Sequence, residues 1–169
     1  MVGVSAIDPL VAANIEFAKS FSGGLPGTPA RKVAVVTCMD CRIDPVRALG
    51  VTVGDANVIR NAGGLVVEDT IRSLAISQRK LGTQAIMIIQ HTRCGLSTFS
   101  DEEFRAELAA ETGVTPPWGP RPFGAQEDNV RAALERIHAS PFLPHTDDVR
   151  GFIFDVDTGL LNEVYASAS

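Results

Sequence analysis

A chain of 169 residues, 45% of them hydrophobic, has material for one sizeable core without a membrane span. Its formal charge of -5 comes with no basic patch, which argues against nucleic acid or an anionic membrane surface as partner and leaves a small solute. Three cysteines are too few, and odd in number, for a disulfide scaffold, so clustered Cys and His point to metal or catalysis in a reducing compartment. The opening MVGVSAIDPLVAANIEF has neither the basic start nor the long apolar block of a secretory signal, and a cytoplasmic location is expected.

Asp8 before Pro9 reads as a helix start, with Asp as cap and Pro at the first helical position. Ile7, Leu10, Val11, Ile15, Ala18 and Phe21 follow a helical stripe, so the helix is expected to run to about Phe21. Ser22 to Pro29 (SGGLPGTP) is a Gly/Pro linker, which makes residues 1–30 an arm that packs on its own domain or on a partner subunit. Val33 to Val36 form an apolar, mostly β-branched run with the composition of a buried parallel strand, so the segment Cys38 to Asp44 sits at its carboxyl end. Asn57 to Arg60 is a short strand candidate, and Asn61-Ala62-Gly63-Gly64 a tight turn with room for close backbone approach, bordering the site. Glu68 to Leu81 follows as a helix with Ile71, Leu74, Ala75 and Leu81 toward the core, acidic residues at its positive end, Arg79 and Lys80 at its negative end, and Gly82 closing it.

Ala85 to Ile89 is a second continuously apolar strand, and it delivers Gln90-His91-Thr92-Arg93-Cys94-Gly95; the strand, helix, strand alternation makes the sheet parallel there. Ser100 and Glu103 form a capping box, with Phe99 and Phe104 as its staple, for a helix from Asp101 to about Thr112 that Gly113 ends. Val114 to Gly124 is a Pro/Gly loop carrying Trp118. It is read as a lid, a dimer contact, or a rigid surface connection with Trp118 packed underneath. Gln126 to His138 is a further helix with Val130, Ala133, Leu134 and Ile137 on one face. Gly151 to Val156 is strand-like, Asp157-Thr158-Gly159 a turn, and Leu161 to Tyr165 an antiparallel edge strand.

In an open parallel sheet, ligands bind outside the carboxyl ends of strands where the strand order reverses, so two such strands side by side would gather Cys38, Asp40, Arg42, His91 and Cys94. A catalytic zinc site has three N or S ligands and a fourth position for water, and Cys38, His91 and Cys94 supply that number. Two thiolates cancel the charge of Zn²⁺, so its water ionises less readily than with three histidines, and such a site favours alkaline conditions. Zinc-bound hydroxide is a strong nucleophile toward a small electrophilic carbon. Rival readings explain less. A Cys38-x-x-Cys41 thiol oxidoreductase leaves His91 and Cys94 without a role. A phosphatase loop from Cys41 to Arg47 loses an N–H at Pro45 and has no glycine. A structural zinc site lacks a fourth Cys or His, since His138 and His145 read as a helix-end and a loop residue.

The Cys-Met-Asp-Cys-Arg run at 38–42, Arg60-Asn61-Ala62-Gly63-Gly64, and His91-Thr92-x-Cys94-Gly95 resemble the β-class carbonic anhydrases, specifically the short bacterial and archaeal branch, and the likeness runs from about residue 5 to Tyr165. The resemblance implies one domain over residues 1–169, with residues 1–30 as helical arm and linker. Its fold would be α/β: a four-stranded parallel sheet of order 2-1-3-4 with an added antiparallel edge strand, helices on both faces, and an arm swapped within a homodimer or higher oligomer. It implies Cys38, His91 and Cys94 on one zinc per chain, and a catalytic dyad of Asp40 and Arg42 in which Asp40 pairs with Arg42 or takes zinc's fourth position. Carbon dioxide and bicarbonate would be the substrates, with hydrolysis of carbonyl sulfide or carbon disulfide as the alternative on the same scaffold. Gly63, Gly64, Leu65 and Val66 are candidates for the substrate wall. The chain departs from the family at Cys41, where Ser is frequent and where alternation along an extended segment turns the side chain away, and at Arg93, where the short branch has Asp. Arg93 would draw bicarbonate inward or be held in an ion pair.

Overall fold

Two apolar strands set the frame. In a computed structural model describing residues 5–165, β1 (Val33–Cys38) lies between β2 (Ala56–Asn61) and β3 (Ala85–His91) and parallel to both. β3 continues parallel to β4 (Val149–Phe154), and β5 (Leu161–Val164) returns antiparallel, giving the order β2-β1-β3-β4-β5. Parallel neighbours need crossovers. α2 (Pro45–Ala48) links β1 to β2, α3 (Glu68–Leu81) links β2 to β3, and α4 (Asp101–Thr112) with α5 (Gln126–His138) links β3 to β4.

The alternation of side chains along each strand divides the interior into two cores. On one face Ala34, Val36, Ile86 and Ile88 meet Ile71 and Leu74 of α3 and Val130, Leu134 and Ile137 of α5. A Cβ on Gly151 would come within 2.4 Å of Val130, so α5 rests on the bare backbone of β4. On the other face Val35, Ile89 and Phe154 pack with Ile43, Leu96 and the two cysteines Cys38 and Cys94, with Leu49, Leu65, Phe99 and Phe123 partly buried around them. This second core, covered by α2 and irregular segments, carries the chemistry.

α3 and α5 have the bounds expected of them, and α3 ends on Gly82 in the left-handed conformation. The capping box of α4 is present, with Glu103 N–H donating to Ser100 Oγ at 3.1 Å and Ser100 N–H to Glu103 at 2.8 Å, while Phe99 and Phe104 stack at 5.3 Å. α1 (Asp8–Ala18) differs at both ends. Ser5 Oγ accepts the Ile7 N–H at 3.1 Å, so the chain turns before Asp8, which occupies the first helical turn and caps nothing. At the other end Lys19 N–H bonds back to Glu16 and Ser20 Oγ donates to Phe17 O, which closes the helix and leaves Phe21 outside it, its ring tilted against that of Phe17 at 5.3 Å.

β4 starts two residues earlier than expected because Val149 and Arg150 already pair with Ile86 and Met87. It stops at Phe154 because Asp155 folds into the following turn, its Oδ1 accepting Asp157 N–H at 2.8 Å. Trp118 is 56% exposed, so it does not pack beneath its loop. The loop is anchored instead by buried Pro116 and by the Asp101 carboxylate, which accepts Arg121 N–H at 3.2 Å and leaves no room for a Cβ at Gly119.

Candidate metal centre

Because β1 and β3 run parallel in register, Thr37 beside Ile89, their carboxyl ends emerge together. Cys38 ends β1, His91 ends β3, and Cys94 follows three residues on, after a turn held to β4 and its exit by Thr92 N–H to Phe154 O at 2.9 Å and Val156 N–H to Thr92 Oγ1 at 3.1 Å. The two Sγ atoms and a His91 ring nitrogen lie within 4.8 Å of one another, and all three residues are buried. His91 Nδ1 lies 3.0 Å from Thr92 O, which makes it the protonated nitrogen and leaves the Nε2 lone pair without a partner in a fully buried ring. An orphaned buried acceptor costs about 1–3 kcal/mol, and a cation between the three side chains removes that cost. Two sulfurs and one imidazole nitrogen are the donor types that suit zinc.

Electrostatics prepare the two thiols unequally. Burial opposes the Cys38 thiolate, but the His91 ring in its doubly protonated form and the backbone N–H groups of Asp40 and Gly63 favour it more, bringing the thiol down to about 7. Burial pushes the Cys94 thiol up, against a weaker stabilising contribution from the Leu96 N–H. The Asn61-Ala62-Gly63-Gly64 turn is what brings Gly63 so close. Gly64 has a φ of 62°, and a Cβ there would stand 3.0 Å from backbone atoms of Thr37, Cys38 and Ile89. Asn61 shapes the turn by accepting Leu65 N–H at 2.7 Å and donating to Leu65 O at 2.8 Å.

Beside the ligands, Asp40 and Arg42 form a forked pair: Nε to Oδ1 at 2.9 Å and Nη2 to Oδ2 at 2.7 Å, with Arg42 N–H also donating to Oδ1 at 2.9 Å. The side-chain bonds from Arg42 outweigh desolvation and hold the Asp40 carboxyl well below the usual carboxylate range. Asp40 Oδ2 lies 3.7 Å from His91 Nε2, next to the space the three ligands enclose.

All five residues read from the sequence therefore converge. Cys41 points outward as an exposed free thiol, and Arg93 forms an ion pair with Asp157. The substrate-wall candidates divide. Gly63 and Gly64 are packed behind Cys38 and under Leu96 and Phe123, Leu65 faces the same core, and Val66 belongs to the core on the opposite face of the sheet, because the chain has turned toward α3 by that point. Sequence reasoning overlooked Arg60. From β2 it donates through Nε to Cys38 O at 2.9 Å and through Nη2 to Asp40 O at 2.8 Å, clamping the loop that carries a ligand and the dyad. Its position at the carboxyl end of a strand flanking β1 was the available signal.

Residues 33–118 match the family model for carbonic anhydrase. The chain is similar to β-carbonic anhydrase 1 of Mycobacterium tuberculosis, 47% identical over 161 residues that span 95% of this chain and 99% of that protein. It is similar in structure to a carbonic anhydrase from Streptococcus mutans, with a TM-score of 0.91 and 39% identity, covering 97% of this chain and 100% of that one. A carbon disulfide hydrolase of Acidianus is more distant, 28% identical with 83% of this chain and 79% of that protein covered.

Proposed function

The chain belongs to the β class of the carbonic anhydrase family, and from that membership we propose that it catalyses the reversible hydration of carbon dioxide to bicarbonate and a proton, with one zinc per chain. The observation that carries the reading is the convergence of Cys38, His91 and Cys94, with the His91 Nε2 lone pair unpartnered, beside the ionised Asp40–Arg42 fork. Held by the three ligands, zinc would supply the Lewis acidity that makes water a nucleophile near neutral pH. Asp40, kept ionised by Arg42, is an acceptor placed to take a hydrogen bond from that water and orient its lone pair. Arg42 has a second duty: by occupying both carboxylate oxygens it keeps Asp40 from becoming a competing fourth ligand. Leu65, Leu96 and Phe123 give the same side of the sheet an apolar surface that suits a linear, uncharged substrate.

The chain is read as one domain over residues 1–169, with 1–30 as helical arm and linker in a homodimer or higher homo-oligomer. The support is α1, which buries none of its residues in its own chain and leaves Ile7, Leu10, Val11, Ile15 and Phe17 each more than half exposed. An isolated helix of that length is marginal in water, so it needs a surface to lie on. No helix among the described residues is long and apolar enough to cross a membrane. A reducing cytoplasm suits the free thiols Cys38, Cys41 and Cys94.

The deciding experiment assays the zinc-loaded protein for carbon dioxide hydration and for carbonyl sulfide and carbon disulfide hydrolysis side by side. Hydration is expected to dominate; hydrolysis of a sulfur substrate without hydration would overturn the reading and place the chain with the carbon disulfide hydrolases in activity.

A further inference from the structure

Arg93 lies between the two ligands carried by β3 and the turn after it, and its φ of 54° is in the left-handed region that a long side chain seldom adopts. With that backbone its carbonyl oxygen accepts a hydrogen bond from Arg42 Nη2 at 3.0 Å, while the same guanidinium grips both oxygens of Asp40. The side chain of Arg93 runs the other way, into an ion pair with Asp157 in the turn between β4 and β5. That turn is itself fixed, since Asp155 Oδ1 accepts the N–H of Asp157 at 2.8 Å and Val156 N–H is tied to Thr92 Oγ1 at 3.1 Å.

We propose that Arg93 is a positioning residue: anchored by Asp157, it holds its carbonyl against Arg42 and so fixes the guanidinium in the orientation that engages Asp40. The need for such a residue follows from the local chemistry. Asp40 and Arg42 are two residues apart on one loop, and every bond of the fork, the Arg42 N–H to Oδ1 included, is internal to that loop, so none of them ties the guanidinium to the rest of the chain. The Arg93 carbonyl is a third acceptor from a different part of the chain, 51 residues away, and it uses a guanidinium donor in a fixed planar array. Both partners of the Arg93–Asp157 pair are mostly exposed, so the pair adds little to global stability; its effect is a local bias that, with the Arg42 bond to the Arg93 carbonyl, favours a backbone conformation asparagine or glycine would take unaided.

The proposal rests on the reading of Asp40 and Arg42 as the dyad for carbon dioxide hydration, and its test separates the two. In the zinc-loaded full chain, Asp157→Ala should lower kcat about tenfold, the scale of a small misplacement of a catalytic group, with KM and zinc content unchanged. Adding Arg93→Asn, which adopts the left-handed backbone without an anchor, should restore most of that loss. An activity-independent readout is the Arg42 Nε–H signal in ¹H–¹⁵N spectra, identified by its disappearance in Arg42→Lys. Its exchange with water should quicken about tenfold in Asp157→Ala and slow again in the double variant, in step with the kinetics. An Asp157→Ala enzyme as fast as the parent, a double variant no faster than the single one, or loss of zinc from Asp157→Ala would each overturn the proposal. A parent protein that hydrates no carbon dioxide would sink the functional reading, while the exchange measurement would still judge Arg93.

Discussion

At the scale of single residues, the inequality of the two thiols has a measurable consequence. Zinc binds thiolates, so each thiol still protonated at the working pH must release its proton on binding. With Cys38 at about 7 and Cys94 raised by burial, binding above pH 7 releases chiefly the Cys94 proton, and below it the Cys38 proton as well. Chelator competition on the metal-free protein should therefore show zinc affinity falling about tenfold per pH unit well above 7 and more steeply well below it, and a single slope throughout would contradict the assignment. Asp40 behaves in the opposite sense. Its carboxyl is held below the ordinary range, so it stays ionised from pH 9 down past pH 5, and any loss of activity between pH 8 and 6 comes from the water and not from protonation of Asp40. Arg42→Ala frees that carboxylate to compete for the metal. It should keep its zinc and lose at least about a hundredfold in kcat, as removal of a fixed charge-stabilising donor does elsewhere. A variant that turns over at the parent's rate with full zinc would mean that the fourth position is not contested.

Among the elements, those whose reasons are local were legible in advance and those whose reasons are tertiary were not. α3 and α4 carry their own start and stop chemistry, Glu68-Asp69 with Gly82 and Ser100-Glu103 with Gly113, and their bounds follow from it. α2 was missed because its four residues have no period, although Asp44 caps it by accepting Arg47 N–H at 3.2 Å and Pro45 starts it. The end of α1 was misplaced because the apolar stripe continues past the point where Lys19 and Ser20 close the helix. The site followed the same division. Cys38, His91 and Cys94 announce themselves by type and spacing, whereas Arg60, although it stands in a motif at a strand end, acts through two backbone carbonyls that its residue type does not name. The turn at Gly63-Gly64 belongs to both classes, and it yields a comparison. Gly64→Ala combines a left-handed backbone, which costs about 1–2 kcal/mol, with overpacking against β1 and β3, about 1–3 kcal/mol more. Gly113→Ala, at φ 75° with open space around it, incurs only the first cost. Denaturant titration should find Gly64→Ala the less stable of the two and poorer in zinc; equal midpoints would show that β1 and β3 do not press on the turn.

For the whole molecule the unresolved imbalance is at the amino end, where α1 presents an apolar face to no surface of its own chain. Nothing in its sequence compensates for that exposure, because its charges, Asp8, Glu16 and Lys19, are few and Glu16 is already paired with Lys19 at 2.7 Å. A cleft of about 750 Å³ along the outer face of α3, lined by Ile71, Ala75, Ile76 and Phe142, offers apolar surface of the matching kind, and Ile76 and Phe142 are themselves exposed. The Gly/Pro linker rules out a rigid attachment of the arm but leaves it reach, so the same residues that fail to bury α1 at home can deliver it to a second copy. Each aliphatic side chain of the stripe contributes about 1.5–3 kcal/mol when it leaves water, so charging two of them should weaken the association at least about a hundredfold. Leu10→Asp with Ile15→Asp is the variant to make, because neither residue contacts the sheet and the fold of residues 31–165 has no need of them. Sedimentation velocity at micromolar protein should find the parent as a dimer or larger and the double variant as a monomer, with circular dichroism of the sheet and α3–α5 unchanged. A parent that sediments as a monomer, active and stable with its arm exposed, would leave the arm without a partner and refute the assembly proposed from it.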